Sequence, residues 1–87
     1  MRADDQRLYG ILIRMYFGDH PPPHFHALYA ERKARCSIAT GEIIDGELPS
    51  RAARLVREWV SLHRAELEEN WGRCERREPL NPVEPLP

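Results

Sequence analysis

The spacing of the apolar residues changes near Pro49, and this change constrains the fold more than any other feature. Before Pro49, apolar and polar residues alternate, as in strands with one buried face. After it, apolar residues recur every three or four positions, which is typical of one face of a helix. With Pro49 in the first turn, Ser50 as a cap and Gly72 as a stop, we expect a helix of about 22 residues, about 33 Å long. Its apolar stripe comprises Ala52, Leu55, Val56, Trp59, Leu62, His63, Leu67 and Trp71.

Four segments before this helix are predicted to be strands. In residues 8–17 β-branched and aromatic side chains dominate, and every odd position is apolar. The remaining strands are predicted at residues 24–29, 33–39 and 42–45. We therefore predict an α+β fold, an antiparallel β-meander of three to four strands covered on one face by one long C-terminal helix.

The length of the chain sets its domain organisation. Its 87 residues suit one domain with a small core, so we expect residues 1–87 to form a single domain. Residues 1–6 and 75–87 are expected to be extended or flexible tails. The second of these segments contains four prolines, which exclude a continued helix.

Composition excludes several classes of protein. The net charge is −1, so nucleic-acid binding would need a local basic patch rather than a basic protein as a whole. Cys36 and Cys74 form no Cys-x-x-Cys pair, which argues against a zinc ribbon or a disulfide framework. The acidic N-terminus has no apolar segment behind it, and no apolar run approaches the ~20 residues that a membrane helix needs. We expect a cytoplasmic protein with no membrane partner.

Residues 19–26 are the candidate functional segment. They read Asp-His-Pro-Pro-Pro-His-Phe-His and contain three of the four histidines. Histidine titrates near neutral pH and is the commonest metal ligand. The prolines restrict the backbone that presents the imidazoles, so this segment is expected to be stiff.

Strand alternation predicts which side chains surround these histidines. Within residues 24–29, His24 and His26 lie on the face opposite the apolar set. If the strands pair as a meander, Arg14 and Arg35 lie on the same face, and Tyr16 is on the same side. The sequence therefore predicts a sheet face that carries histidine and arginine.

Longer motifs resemble a known family. Residues 9–27 follow the pattern Tyr-Gly-Ile-x-Ile-x-Met-Tyr-Phe-x-Asp-His-x-Pro-Pro-His-Phe-His-Ala, and shorter matches continue to Asn70-Trp71. These motifs resemble the bacterial family called domain of unknown function 4160. The family has no settled activity, but its genes often lie beside a second small uncharacterised gene in pairs classed as toxin–antitoxin modules. The resemblance therefore implies one component of such a two-gene module, with a small protein partner from an adjacent gene.

The predicted histidine-bearing face has three interpretations. In the first, the histidines are structural and belong to a non-catalytic interaction domain. In the second, the face contacts RNA or a protein partner and is a metal-independent endoribonuclease site without a cofactor. His24 and His26 would then act as base and acid, Arg14 and Arg35 would stabilise the phosphorane charge, and Tyr16 would stack on a base.

The third interpretation is a metal site. His24-x-His26 places both imidazoles on one side of a strand, as two ligands of one divalent transition metal require. Asp19, His20 or Glu31 could complete the ligand set. The residues alone leave the choice among the three interpretations open, and with it whether the protein is an enzyme.

Further candidate residues lie in the predicted helix and in the loop before His24. Arg51 and Arg54 occupy the first turns of the predicted helix, where they form either a solvated face or a ridge that binds a phosphate or a partner. Asp19 and His20, just before the prolines, and Tyr16 are also predicted to bind a ligand or a partner. His63 lies on or beside the apolar stripe, so we expect a core or boundary histidine.

Overall fold

The computed structural model describes residues 2–86, and side chains from residue 8 onward. Five strands are followed by one helix. The sheet has the order β1-β2-β3-β4-β5, and each strand pairs antiparallel with the next. The predicted α+β meander with one long C-terminal helix is thus confirmed. The elements are β1 (Arg2–Leu8), β2 (Ile11–Tyr16), β3 (His24–Tyr29), β4 (Arg32–Ser37), β5 (Ile43–Gly46) and α1 (Ser50–Glu75).

The strand predicted at residues 8–17 is in fact divided by a hairpin turn. Leu8 ends β1, Ile11 begins β2, and Tyr9 and Gly10 between them have φ values of 50° and 81°. Two successive residues with positive φ are typical of a two-residue hairpin turn, because the backbone twist of such a turn matches that of the strands it joins. Alternation continues through Tyr9, so the apolar pattern did not reveal the turn. Residues 2–6, predicted as an extended or flexible tail, belong to the edge strand β1.

The helix is longer than predicted and is kinked. It spans 26 residues and continues past Gly72 to Glu75, with non-helical dihedral angles at His63 (φ −126°, ψ 23°). Its N-cap residue is Pro49 rather than Ser50, and no side chain caps it. Leu62, predicted on the buried stripe, is 62% exposed. That part of the prediction was wrong because the buried side of this turn is centred on Trp59 and Val60, which places Leu62 on its flank.

The core lies between one face of the sheet and the helix. Phe25 and Trp59 make an edge-to-face contact with ring centroids 5.9 Å apart at its centre. The same core includes Val83, from the segment predicted as a C-terminal tail, which has no regular secondary structure. Within residues 2–86, no helix is both long and apolar enough to cross a membrane. The buried apolar residues of the strands are Leu8, Ile11, Ile13, Met15, Phe25, Ala27, Ala34 and Cys36.

Candidate metal centre

The loop between β2 and β3 carries the first residue of the site. Residues 17–23 connect the two strands, and Gly18 takes a φ of 80° in this loop, where a side chain would be strained. The peptide bond between Pro21 and Pro22 is cis. Asp19 lies in this loop, five residues before His24, which is the first residue of β3.

His24 is held rigidly by its surroundings. Its side chain is 3% exposed, and its ring lies 5.3 Å from the Trp71 ring near the end of α1. Nδ1 donates a hydrogen bond of 2.8 Å to the carbonyl oxygen of Pro22. A carbonyl oxygen only accepts, so the proton of neutral His24 is on Nδ1 and the lone pair is on Nε2.

Asp19 joins the two imidazoles through a single oxygen. Its Oδ2 lies 3.3 Å from Nε2 of His24 and 3.1 Å from Nε2 of His26. One ligand atom from each of the three residues lies within 4.8 Å of the others. The Asp19 and His26 side chains are 28% and 25% exposed, so the cluster opens to solvent on their side.

This geometry requires a proton or a metal ion between Asp19 and His24. His26 can donate a proton from Nε2 to the carboxylate, but neutral His24 presents a lone pair to an oxygen that also only accepts. Two acceptors at 3.3 Å repel each other unless a positive charge lies between them. Either a proton between Asp19 Oδ2 and His24 Nε2 or a metal ion removes this repulsion.

The sheet register places Arg14 and Arg35 beside His26. Arg14 is opposite His26 on β2, and Arg35 is opposite His26 on β4. Tyr16, two residues from Arg14, contacts the His26 ring edge-on with centroids 4.7 Å apart. The structure thus brings these residues together on one face, whereas His24 is buried at the end of the same strand.

Arg35 is already engaged by a carboxylate. Its Nε and Nη2 both donate to Oδ2 of Asp45 on β5, at 3.0 and 2.5 Å. This hydrogen bond raises the pKa of Arg35 and lowers the pKa of Asp45. Both groups are therefore charged at neutral pH. Sequence reasoning missed this pair because alternation does not reveal which residue of a short edge strand lies opposite Arg35.

Other predicted residues lie outside the cluster of Asp19, His24 and His26. His20 is exposed and is not part of it. Glu31 lies in the β3–β4 turn, at the opposite end of β3 from His24. Arg51 and Arg54 are exposed at the start of α1. Because Trp71 is 17 to 20 residues further along the helix, these arginines lie roughly 25–30 Å from it along the axis.

His63 is a boundary histidine, as its place beside the stripe predicts. Its side chain is 16% exposed, Nδ1 lies 2.7 Å from Oε1 of Glu66, and its ring is 6.2 Å from that of Trp59.

Two contributions to the site were missed by sequence reasoning. Trp71 was predicted as a core residue, and its contact with His24 was not. Arg77, just after the helix, lies over the Phe17 ring at 5.9 Å, beside the loop that carries Asp19. The first contact joins α1 to the start of β3, and the second joins the segment after α1 to the β2–β3 loop; no local pattern indicates such long-range neighbours.

Residues 10–72 match the family model described as Domain of unknown function (DUF4160). The match covers more than half of the chain, which therefore belongs to this family. Asp19, His24, His26 and Trp71 all lie inside the matched segment, and Arg77 lies outside it. No curated protein and no solved structure matches the chain.

Proposed function

We propose that this protein is a metal-binding domain in which Asp19, His24 and His26 hold one divalent transition metal ion. The observation that carries the proposal is the position of Asp19 Oδ2, which both Nε2 atoms approach. Two nitrogens and one carboxylate oxygen form a ligand set that zinc and non-haem iron both use.

The separations between donor atoms support this proposal. Two ligand atoms that each lie about 2.1 Å from one tetrahedral ion are about 3.4 Å apart. The observed separations from Asp19 Oδ2 are 3.1 and 3.3 Å. An ion could therefore enter with small side-chain rotations, and it would replace the proton that the two facing acceptors otherwise need.

The surroundings of His24 support the same assignment. Metal-bound histidines usually donate their other N–H to a carbonyl or carboxylate, which fixes the tautomer and the ring orientation. The bond from Nδ1 to the Pro22 carbonyl has this geometry. Trp71 covers the ring and keeps water from one side of the site.

The partial exposure of the ligands indicates what the ion could do. Structural zinc sites are closed by four protein ligands, whereas catalytic zinc has three and keeps one open position. Three protein ligands beside a solvent-accessible side match the second arrangement. A bound ion would then have room for a water molecule or a substrate atom.

The test is metal uptake by the purified protein. Metal content is measured by mass spectrometry, and binding of Zn²⁺ and Co²⁺ is measured by calorimetry and by the visible absorption of Co²⁺. We expect one ion per chain with release of protons, because the ligands must be deprotonated. His26→Ala should weaken binding by at least about 100-fold, since even a lost outer-shell partner costs 10–100-fold.

His20→Ala is the matched control. It removes an imidazole six residues from His26 that is not part of the cluster, so the affinity for Zn²⁺ should not change. The proposal fails if no ion binds, or if His20→Ala and His26→Ala weaken binding equally. Absence of binding would leave a proton between Asp19 and His24 as the explanation of their contact.

Metal-independent RNA cleavage is the second candidate function. The alignment of Arg14, His26 and Arg35 across three strands favours it, since guanidinium groups beside an imidazole suit a phosphodiester. Burial of His24 leaves His26 as the accessible imidazole of the pair. RNA cleavage by wild type in EDTA, lost in His26→Ala, would support this function over the metal site.

A further inference from the structure

A groove on the open face of the sheet begins beside the candidate metal centre. Its volume is about 350 Å³, and it is lined by His26, Lys33, Ala34, Arg35, Asp45 and Gly46. Volumes of this order suit small-molecule ligands. A small molecule in the groove would therefore contact His26, which is one of the proposed metal-binding residues, and the side chains of Lys33 and Arg35 on β4.

The charges in the groove favour an anion. Lys33 and Arg35 are two residues apart on β4, so their side chains leave the same face of the sheet. Asp45 is the one carboxylate among the lining residues. A divalent ion held by Asp19 and two neutral histidines would add a further net positive charge at the His26 end.

Arg35 has more N–H donors than the two that Asp45 engages. A guanidinium has five N–H groups, and Asp45 accepts from Nε and Nη2 through one oxygen. The Arg35 and Asp45 side chains are 40% and 59% exposed. Exposed ion pairs contribute little to stability, so Arg35 can share or exchange this partner at small cost.

We propose that this groove binds a small phosphate ester, whose phosphate contacts Arg35, Lys33 and the ion held by Asp19, His24 and His26. The proposal rests on the metal site for the third of these contacts. A phosphate dianion suits two cations and a divalent ion better than a carboxylate with its single charge does. The uncharged part of the ester would occupy the remainder of the groove beside Ala34 and Gly46.

Calorimetric titration of the Zn²⁺-loaded protein tests this inference. Adenosine 5′-monophosphate is the phosphate probe, and adenosine is its uncharged match. Acetate and a short RNA are the other arms, at constant ionic strength. We expect the monophosphate to bind and adenosine not to bind. Arg35→Gln should weaken monophosphate binding by about 10- to 100-fold, as the loss of a charged hydrogen bond does.

Substitutions of a cation and of the carboxylate in the groove should change the affinity for the monophosphate in opposite directions. Lys33→Gln should weaken monophosphate binding, and Asp45→Asn should strengthen it, because it removes the competing carboxylate. Arg57→Gln is the matched control, since Arg57 is an exposed arginine of α1 that does not line the groove, and it should change nothing.

Failure of this inference can be told apart from failure of the metal site. Normal Zn²⁺ uptake with no monophosphate binding, or with binding unaffected by Arg35→Gln and Lys33→Gln, would overturn the groove assignment alone. Tighter binding of RNA or acetate than of the monophosphate would also overturn it. Absence of Zn²⁺ uptake by wild type would overturn the metal site instead, and with it the proposed contact between the phosphate and the ion.

Discussion

At the scale of single residues, hydrogen bonding decides which atoms of the histidines can react. The Pro22 carbonyl engages Nδ1 of His24 and directs Nε2 toward Asp19. His26, two residues further along β3, also directs Nε2 to Asp19 but keeps a quarter of its side chain exposed. Two chemically identical side chains therefore have different roles, one as a buried anchor and one as the member that solvent or a ligand can reach.

The buried thiols make stability fall at high pH. Burial raises the pKa of Cys36 from 9.0 to about 12, and burial together with Asp19 raises that of Cys74 to about 11. The folded protein thus holds these protons more tightly than the unfolded chain. Their contribution is complete below pH 9 and is lost as pH rises toward 11 and 12.

We expect urea unfolding to show this loss. Between pH 9 and 11, ionisation of one thiol in the unfolded chain should lower the free energy of unfolding by about 1.4 kcal/mol per pH unit. Cys36→Ala should show a shallower decline over this range, whatever its stability at pH 8. Parallel declines in wild type and variant would contradict the assignment.

At the scale of elements, the segment after α1 completes the core that the helix begins. The Trp59 indole donates to the carbonyl of Glu84 at 2.8 Å. The buried Asn70 side chain donates to the carbonyl of Asn81 and accepts from its N–H, both at 2.9 Å. These contacts, with buried Val83, explain how a proline-rich segment without regular structure is held against the helix.

Asn70→Ala should release this segment. The substitution removes the amide that pairs with the backbone N–H and carbonyl of Asn81, which should lower the free energy of unfolding by about 1–3 kcal/mol. Urea unfolding measures this cost, and faster proteolysis within residues 79–86 would report the release.

Asn81→Ala is the control, because Asn81 contributes only backbone atoms to the pair. Its expected effect is within about 0.5 kcal/mol. Equal losses in the two variants would exclude the amide pair as the cause.

At the scale of the whole molecule, the candidate metal centre joins parts that are distant in sequence. Asp19 comes from the β2–β3 loop, both histidines come from β3, and Trp71 comes from the end of α1. The three ligands lie within eight residues of one another, but Trp71 covers His24 only when the sheet and helix are packed together. Metal binding should therefore be coupled to folding of the whole domain.

Saturation with Zn²⁺ should raise the melting temperature. At a free concentration 100 times the Kd, binding stabilises the folded state by about 2.7 kcal/mol. For a domain of this size that corresponds to a shift of about 10–20 °C. EDTA should reverse the shift, and His26→Ala should not show it. An equal shift in His26→Ala would mean that Zn²⁺ binds elsewhere.

The sequence by itself determined the fold class and the segment that carries the candidate site. Alternating residues predicted the strands, and the change of period at Pro49 predicted the helix that follows them. Alternation also placed Arg14, His26 and Arg35 on one face, as the register shows. These features are local, because the period of a strand or helix decides which side of it each residue occupies.

Only the tertiary structure decided which neighbours meet. It divided residues 8–17 with a turn, left Leu62 exposed, and brought Asp19 rather than Glu31 to the histidines. It also buried His24 under Trp71, which separates the roles of two histidines that the sequence presents as equivalent. A periodic pattern carries no information about contacts between distant segments, because these depend on how the loops close and how the helix lies against the sheet.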